Sequence, residues 1–379
     1  MSMKMTHKER VRRAFAFEEA DRVPLDIGGL NVTSFHVQAE QKLKEALGLS
    51  PGVQEIGSFN QQSVIPDERI LQRFDADFRV LYARDGNQWA QSTPTGWVRD
   101  EYGIDYRLSP DKLYYDFARH PLAEADLADI EKHTFADPRS EARIADFAER
   151  IALYGSEYAL VLEGSRDSVF GISSWLRGLE QFFIDLAEDS PVAEALMDKV
   201  VQQQIDVFAF ILGRFGRQID IVRIGDDLGS QSGLLISPET YRAKVKPRHA
   251  RLVRAIKQMS DCKVVIHSCG AISQILPDFI EIGIDGINPV QVSCAGMEPK
   301  ELKEKYGKQL LFWGGGIDTQ QILSKAAPET VRSVVRESLR VFKPGGGYVF
   351  AQVHNIQPDV AVENIIAMYE AFHQYSGYR

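Results

Sequence analysis

Cysteine is scarce in this sequence. The three present, Cys262, Cys269 and Cys294, are too few in 379 residues to staple a fold. A disulfide framework is therefore excluded, and a cytoplasmic protein with reduced thiols is expected. Basic charge is also in deficit: 44 Lys and Arg stand against 53 Asp and Glu, a net charge of -9. That balance argues against a general nucleic-acid surface or an anionic-membrane surface. No apolar run approaches the roughly 18 residues that span a bilayer. The opening MSMKMTHKERVRRAF is charged and amphipathic and lacks the continuous apolar core of a secretion signal. Low-complexity tracts and Gly/Ser or Pro-rich linkers are missing too. With nothing to mark a boundary, the chain reads as a single domain over residues 1–379.

What is there is a recurring unit: a short apolar run, a Gly or polar end, then a helical stretch. The runs are 22–29 (RVPLDIGG), 77–83 (DFRVLYA), 158–165 (YALVLEGS), 219–227 (IDIVRIGDD), 263–270 (KVVIHSCG), 284–291 (IDGINPVQ), 309–316 (QLLFWGGG) and 347–354 (GYVFAQVH). Most show little polar alternation, as expected of parallel strands covered by helices. Helices between them carry start and stop signals. Ser237, Pro238 and Glu239 open one at its N-cap, and others end in glycine. Eight strands alternating with helices predict an α/β fold of the (β/α)8 TIM-barrel type; a doubly wound open sheet is the competing arrangement. Residues 1–21 read as an N-terminal helical extension. Residues 85–120, with turn signals and aromatic alternation, read as a β-hairpin insertion or small antiparallel excursion.

In such barrels the active site lies at the carboxyl ends of the strands. Asp26, Arg79, Glu163, Arg166, Asp167, Asp226, Asp227, His267, Cys269, Asn288, Gln291, Trp313, Asp318, Gln352 and His354 all fall at or near such ends. Asp226 and Glu163 are the candidate catalytic acids. Arg79, Asp227, Asn288, Gln291, Trp313, Asp318 and Gln352 are candidates for substrate binding. His267 and Cys269, two apart at the end of one run, leave on the same face and are both good zinc ligands. A catalytic zinc needs a third protein ligand. His354, Asp226 and Cys294 are the candidates. Cys262 has the opposite parity from His267 and Cys269 and is read as structural. The glycine clusters FWGGGID and PGGGY match neither nucleotide-binding pattern, so a nucleotide cofactor is not expected.

Several longer stretches carry a family likeness: HKERVRRAFAFEEADRVPLDIGG, WLRGLEQFFIDLAEDSPVAEALMDKV, HSCGAISQILPDFIEIGIDGINPVQ, LKEKYGKQLLFWGGGID and GGGYVFAQVHNIQPDVAVENIIAMYEA. Over nearly its whole length the chain resembles the uroporphyrinogen decarboxylase superfamily, and within it the methyltransferase-like branch. The resemblance implies a (β/α)8 barrel. In the corrinoid-linked members it also implies a His-x-Cys pair and a distant Cys binding zinc. The zinc activates a thiol that takes a methyl group from a methylated corrinoid (methylcobalamin) on a partner protein. His267 and Cys269 match the pair; where the distant Cys is expected, this chain has His354. The decarboxylases need no metal, and their arginine-bearing RQAGRY motif is absent, with GGLNVTSFH in that region.

The expected function is thus a zinc-dependent methyltransferase moving a methyl group between a corrinoid carrier and a small-molecule acceptor or donor. The partners implied are that small molecule, a corrinoid protein and a second copy of the chain in a homodimer. The rivals are a lyase or decarboxylase acting on a small carboxylic acid, held by Arg79 or Arg166, and a non-catalytic corrinoid-binding subunit.

Overall fold

The computed structural model describes residues 5–84, 91–92, 96–164 and 168–378. Arg166, Asp167 and parts of the 85–120 insertion lie outside them. Seven strands form one sheet in chain order: β1 (Phe78–Tyr82), β2 (Ala159–Glu163), β3 (Ile221–Gly225), β4 (Lys263–His267), β5 (Gly286–Asn288), β6 (Leu311–Trp313) and β7 (Tyr348–Val349). All neighbours are parallel. The first apolar run, 22–29, closes the ring. The Phe350 N–H donates to Pro24 O, the Asp26 N–H to Phe350 O and the Asp77 N–H to Leu25 O, each at 2.9 Å. Pro24 has no N–H to give, and the segment meets the last strand's continuation through an isolated bridge, Leu25 to Phe350, rather than a regular ladder. Both sheet edges bond to this one segment, which is a barrel closure and rules out the open sheet.

Because both faces of each strand are buried, parity decides which residues meet. Phe78, Val161, Ile221, Val265, Leu311, Trp313 and Val349 fill the barrel interior. Leu81, Leu162, Val222, Val264, Ile287 and Phe312 face the surrounding helices. Cys262 belongs to this outer set, as its parity predicts.

The N-terminal helix α1 (His7–Phe15) starts from a capping box. Glu9 N–H donates to Thr6 Oγ1 at 3.1 Å and Thr6 N–H to Glu9 Oε2 at 2.9 Å. Its spacing turns Val11, Ala14 and Phe15 onto the interior cluster, so α1 plugs the amino end of the barrel. Burial of Val11 and of Phe15 contributes about 1.5–3 kcal/mol each. Beside the plug the Asp77 carboxylate is fully buried. It is held by His7 (2.8 Å), Arg10 (2.5 Å), Arg22 (2.6 Å) and the Leu25 N–H (2.6 Å).

The insertion is larger than a hairpin. Strands Gln91–Ser92, Val98–Arg99, Asp105–Leu108 and Tyr115–Arg119 form a four-stranded antiparallel sheet. A short hairpin, Glu55–Ser58 with Ser63–Ile65, was not foreseen; it meets the insertion where the Tyr115 N–H donates to Asn60 O at 2.9 Å. Among the described residues, no helix is long and apolar enough to cross a membrane.

Candidate metal centre and substrate cavity

The last residue of β4 is His267. Its Nδ1 lies 2.7 Å from Asn288 Oδ1, and Asn288 Nδ2 donates to Trp313 O at 3.1 Å. That second bond fixes the amide orientation, so Nδ1 donates and Nε2 presents a lone pair to the barrel mouth. Burial pushes the ring well below its ordinary value, with Asp227 opposing the shift and Arg223 and His354 adding to it. The imidazole is therefore neutral, the form that binds metals.

Two residues on, Cys269 Sγ sits 3.4 Å from His267 Nε2. The loop that carries it is pinned. The Cys269 N–H donates to Asp227 Oδ1 at 2.9 Å and the Gly270 N–H to Gln291 Oε1 at 2.8 Å. Gly270 has φ +94°, and a Cβ there would lie 2.3 Å from the Gly229 carbonyl carbon. Only glycine permits that approach. Burial, then Asp227, drives the Cys269 thiol well above its ordinary value.

His354 completes the set. Its ring centroid is 5.9 Å from that of His267, and one ligand atom from each of His267, Cys269 and His354 lies within 4.8 Å of the others. The other two candidates for third ligand are engaged elsewhere. Cys294 is buried with its thiol on Gln231 Oε1 at 3.3 Å. Asp226 is consumed by five donors: Ser168 Oγ, the N–H groups of Val169, Phe170 and Gly171 (3.0, 3.0 and 2.7 Å), and His249 Nε2 (2.6 Å).

The two histidines open onto a cavity of about 260 Å³. Ser58, Asn60 and Gln61 line a polar wall, Phe170, Trp175 and Leu235 a more apolar one, and Arg223 and Asp227 approach the histidines. Arg223, in β3, is 8% exposed and pairs with the fully buried Glu163 at 3.2 Å. The guanidinium folds over Gly225, where a Cβ would come within 3.0 Å of it. A larger hollow, about 700 Å³, lies at the opposite end between α1 and the 257–263 turn, far from this donor set.

A model of the uroporphyrinogen decarboxylase family matches residues 98–375. The chain belongs to the uroporphyrinogen decarboxylase family. It is 23% identical over 390 aligned positions to a uroporphyrinogen decarboxylase of Alkalilimnicola ehrlichii, covering 99% of this chain and 96% of that protein. It is 25% identical to a methylated-thiol--coenzyme M methyltransferase of Methanosarcina mazei over 45% of this chain and 42% of that one. In structure it resembles a methyltransferase from Methanosarcina mazei, with a TM-score of 0.68 and 17% identity over 98% of this chain and 99% of that chain. That last likeness speaks to the barrel alone. The family includes enzymes, and a methyltransferase is among this chain's relatives.

Within this family frame, the predicted residues divide. Asp226 and Asp227 both line the cavity. Asn288 and Gln291 stand behind the donors and hold them. Arg79 is a correction: it points to the helix side of β1, where it pairs with Glu68 at 2.7 Å and lies over the Tyr158 ring at 3.7 Å. Asp226 is another. A buried carboxylate spent on five donors is a helix cap and not a free base. Trp313 packs in the interior with Nε1 on Asp26 at 2.7 Å. Gln352 donates to Thr33 O at 2.7 Å, and Asp318 caps a turn through the N–H groups of Gln320 and Gln321 at 3.0 and 2.7 Å. Glu163 stands behind Arg223 as its counter-ion. Sequence reasoning missed Arg223, whose signal was a lone arginine in an apolar run. It also missed Ser58, Asn60 and Gln61, which no motif marks.

Proposed function

We propose that this family member is a zinc-dependent methyltransferase that moves a methyl group between a corrinoid carrier and a small-molecule acceptor or donor. The observation that carries the reading is the His267–Cys269–His354 cluster at the barrel mouth. Two imidazoles and a thiol, one donor atom each, are the number and types of ligand that catalytic zinc uses while keeping a position open. The donor set fits the metal on a further count. His267 is neutral with its second nitrogen anchored on Asn288, an arrangement that orients metal-binding histidines. When bound there, zinc would supply the positive charge that holds a substrate thiol as its thiolate near neutral pH.

The chain's own residues then position the reactants. Asp227 and Gln291 fix the loop that carries Cys269, Arg223 and Glu163 set a charged floor, and the cavity walls orient a small substrate. Its volume lies below the roughly 300–1,000 Å³ of pockets for drug-sized ligands. Displacement of a methyl group from a corrinoid needs no general acid, which agrees with Asp226 being unavailable. The methyltransferase activity of the Methanosarcina mazei relative supports the same class.

A decarboxylase acting on a small carboxylic acid is the second reading. It is favoured by the relative that matches along the full length and by Arg223, a cavity guanidinium suited to a carboxylate where Arg79 is not.

Protein purified without chelator is expected to hold about one zinc per chain, following the three-ligand logic. It should also demethylate methylcobalamin in the presence of a small thiol, with activity lost on chelation and regained with zinc. Full turnover of a carboxylic acid by chelated, metal-free protein would establish the second reading instead. Zinc binding with neither reaction would indicate a non-catalytic corrinoid-binding subunit.

A further inference from the structure

A buried histidine outside the donor cluster is left unused by this chemistry. His249 lies in the helix Lys246–Met259, 1% exposed, with Nε2 on Asp226 Oδ2 at 2.6 Å and Nδ1 on the Tyr241 hydroxyl at 3.2 Å. Tyr241 opens a π-helical turn, Tyr241–Val245, that precedes this helix. Such turns are rare and often occur at functional sites. Burial keeps the Tyr241 phenol protonated, so it donates to Nδ1 and leaves the Nε2–H for Asp226.

Asp226 passes this order on. Its carboxylate grips Ser168 Oγ and the N–H groups of Val169, Phe170 and Gly171, where the helix Phe170–Arg177 begins. Gly171 is required for that grip, because a Cβ would lie 2.4 Å from Ser168 Oγ. Ser168, Phe170, Gly171, Ser174 and Trp175 all line the cavity.

We infer that His249 is a positioning residue for the substrate cavity: acting through Asp226, it sets the Ser168–Trp175 wall and with it the fit of the substrate. It touches no substrate itself. A histidine whose only role is to fill the core would serve as well if replaced by an apolar ring. A positioning histidine must keep its N–H directed at Asp226.

The test compares His249→Phe with His249→Gln in the full-length, zinc-loaded protein, using methylcobalamin and 2-mercaptoethanol as probes. Removing one hydrogen bond to a charged partner in His249→Phe should raise KM for the thiol by roughly tenfold, with kcat within about threefold of the parent. His249→Gln, which retains a donor, should restore most of the loss. Amide exchange at residues 169–171 should speed up in His249→Phe, return towards the parent in His249→Gln, and stay unchanged over 263–270. If His249→Phe fails to fold, Tyr241→Phe, which removes the hydroxyl that fixes the tautomer, should show the same changes in smaller measure. Unchanged KM and exchange, a fall in kcat alone, or a glutamine variant as impaired as the phenylalanine one would overturn the inference. The kinetic arm rests on the methyltransferase reading and the exchange arm does not. Parent protein that leaves methylcobalamin intact defeats that reading, and the exchange pattern then judges His249 alone.

Discussion

The two ends of the barrel treat buried polar groups in opposite ways. At the amino end Asp77 is surrounded by His7, Arg10, Arg22 and a backbone N–H, so its acceptor capacity is spent inside the protein. At the carboxyl end His267, Cys269 and His354 are brought together with one ligand atom each within 4.8 Å, and the Cys269 thiol is held protonated by burial and Asp227 although Arg223 opposes them. The first arrangement offsets the desolvation of its charges and stabilises the fold. The second gathers the donor atoms that the proposed zinc would use. Buried polarity by itself therefore does not mark a site. What distinguishes the carboxyl end is that its donors are metal-ligating types gathered beside a cavity.

Breaking each end separately should give opposite results. The largest effect is expected from Cys269→Ala: zinc affinity should fall by more than the roughly 10–100-fold that loss of a supporting residue costs. Competition titration with a chromophoric chelator measures it, and the metal-free protein should unfold at an unchanged urea midpoint. Next comes Asp77→Ala, which leaves Arg10 and Arg22 buried without their shared acceptor. Urea denaturation should show a loss of about 3–5 kcal/mol, with zinc per folded chain unaltered. A variant that lost zinc as well would show that the two ends are coupled.

Acid sharpens the contrast further. Although burial opposes it, Arg22, His7 and Arg10 hold the Asp77 carboxyl down at about 2, against an ordinary value of 3.8. A carboxyl depressed on folding contributes stability that is complete above its unfolded value and is lost as pH falls through its folded one. Some 2 kcal/mol, at about 1.4 kcal/mol per unit, should drain away between about pH 4 and pH 2. In Asp77→Asn that part of the slope should vanish from the pH dependence of unfolding. The smallest effect belongs to Cys262→Ala. This thiol is 5% exposed in the helix-facing cluster, so the change should cost about 1 kcal/mol and leave zinc content and turnover per folded molecule intact.

The barrel and the paired donors could be read in the chain because their signals are local. Each apolar run announces its strand, and the two-residue spacing of His267 and Cys269 announces a shared face. Direction was harder to read. When both faces of a strand are buried, composition does not say which parity looks inward, and that ambiguity misdirected Arg79 to the mouth while hiding Arg223 there. His354 shows a different limit. Its parity is that of Tyr348 and Phe350, which pack outward, yet it reaches the mouth because the regular strand ends at Val349 and the following segment is irregular. Asp226 looked reactive because a carboxylate at a strand end can act as a base or as a cap. Only the donors contributed by residues distant in sequence decide which. The insertion was underestimated for a simpler reason: strands of two residues, such as Val98–Arg99, are too short for alternation to show.

The bridge between Arg22 and Gly377 carries a practical consequence. Tyr378 also reaches back to Asp21 O at 3.4 Å, and α1 lies over the same end of the barrel. Both extremities of the described chain therefore emerge on the side away from His267 and His354. A tether attached at either one would hold the molecule with its mouth facing the solvent. On a sensor surface, a macromolecule approaching from solution would meet the open rim first, and a signal from its arrival would report on that rim and not on the plugged base.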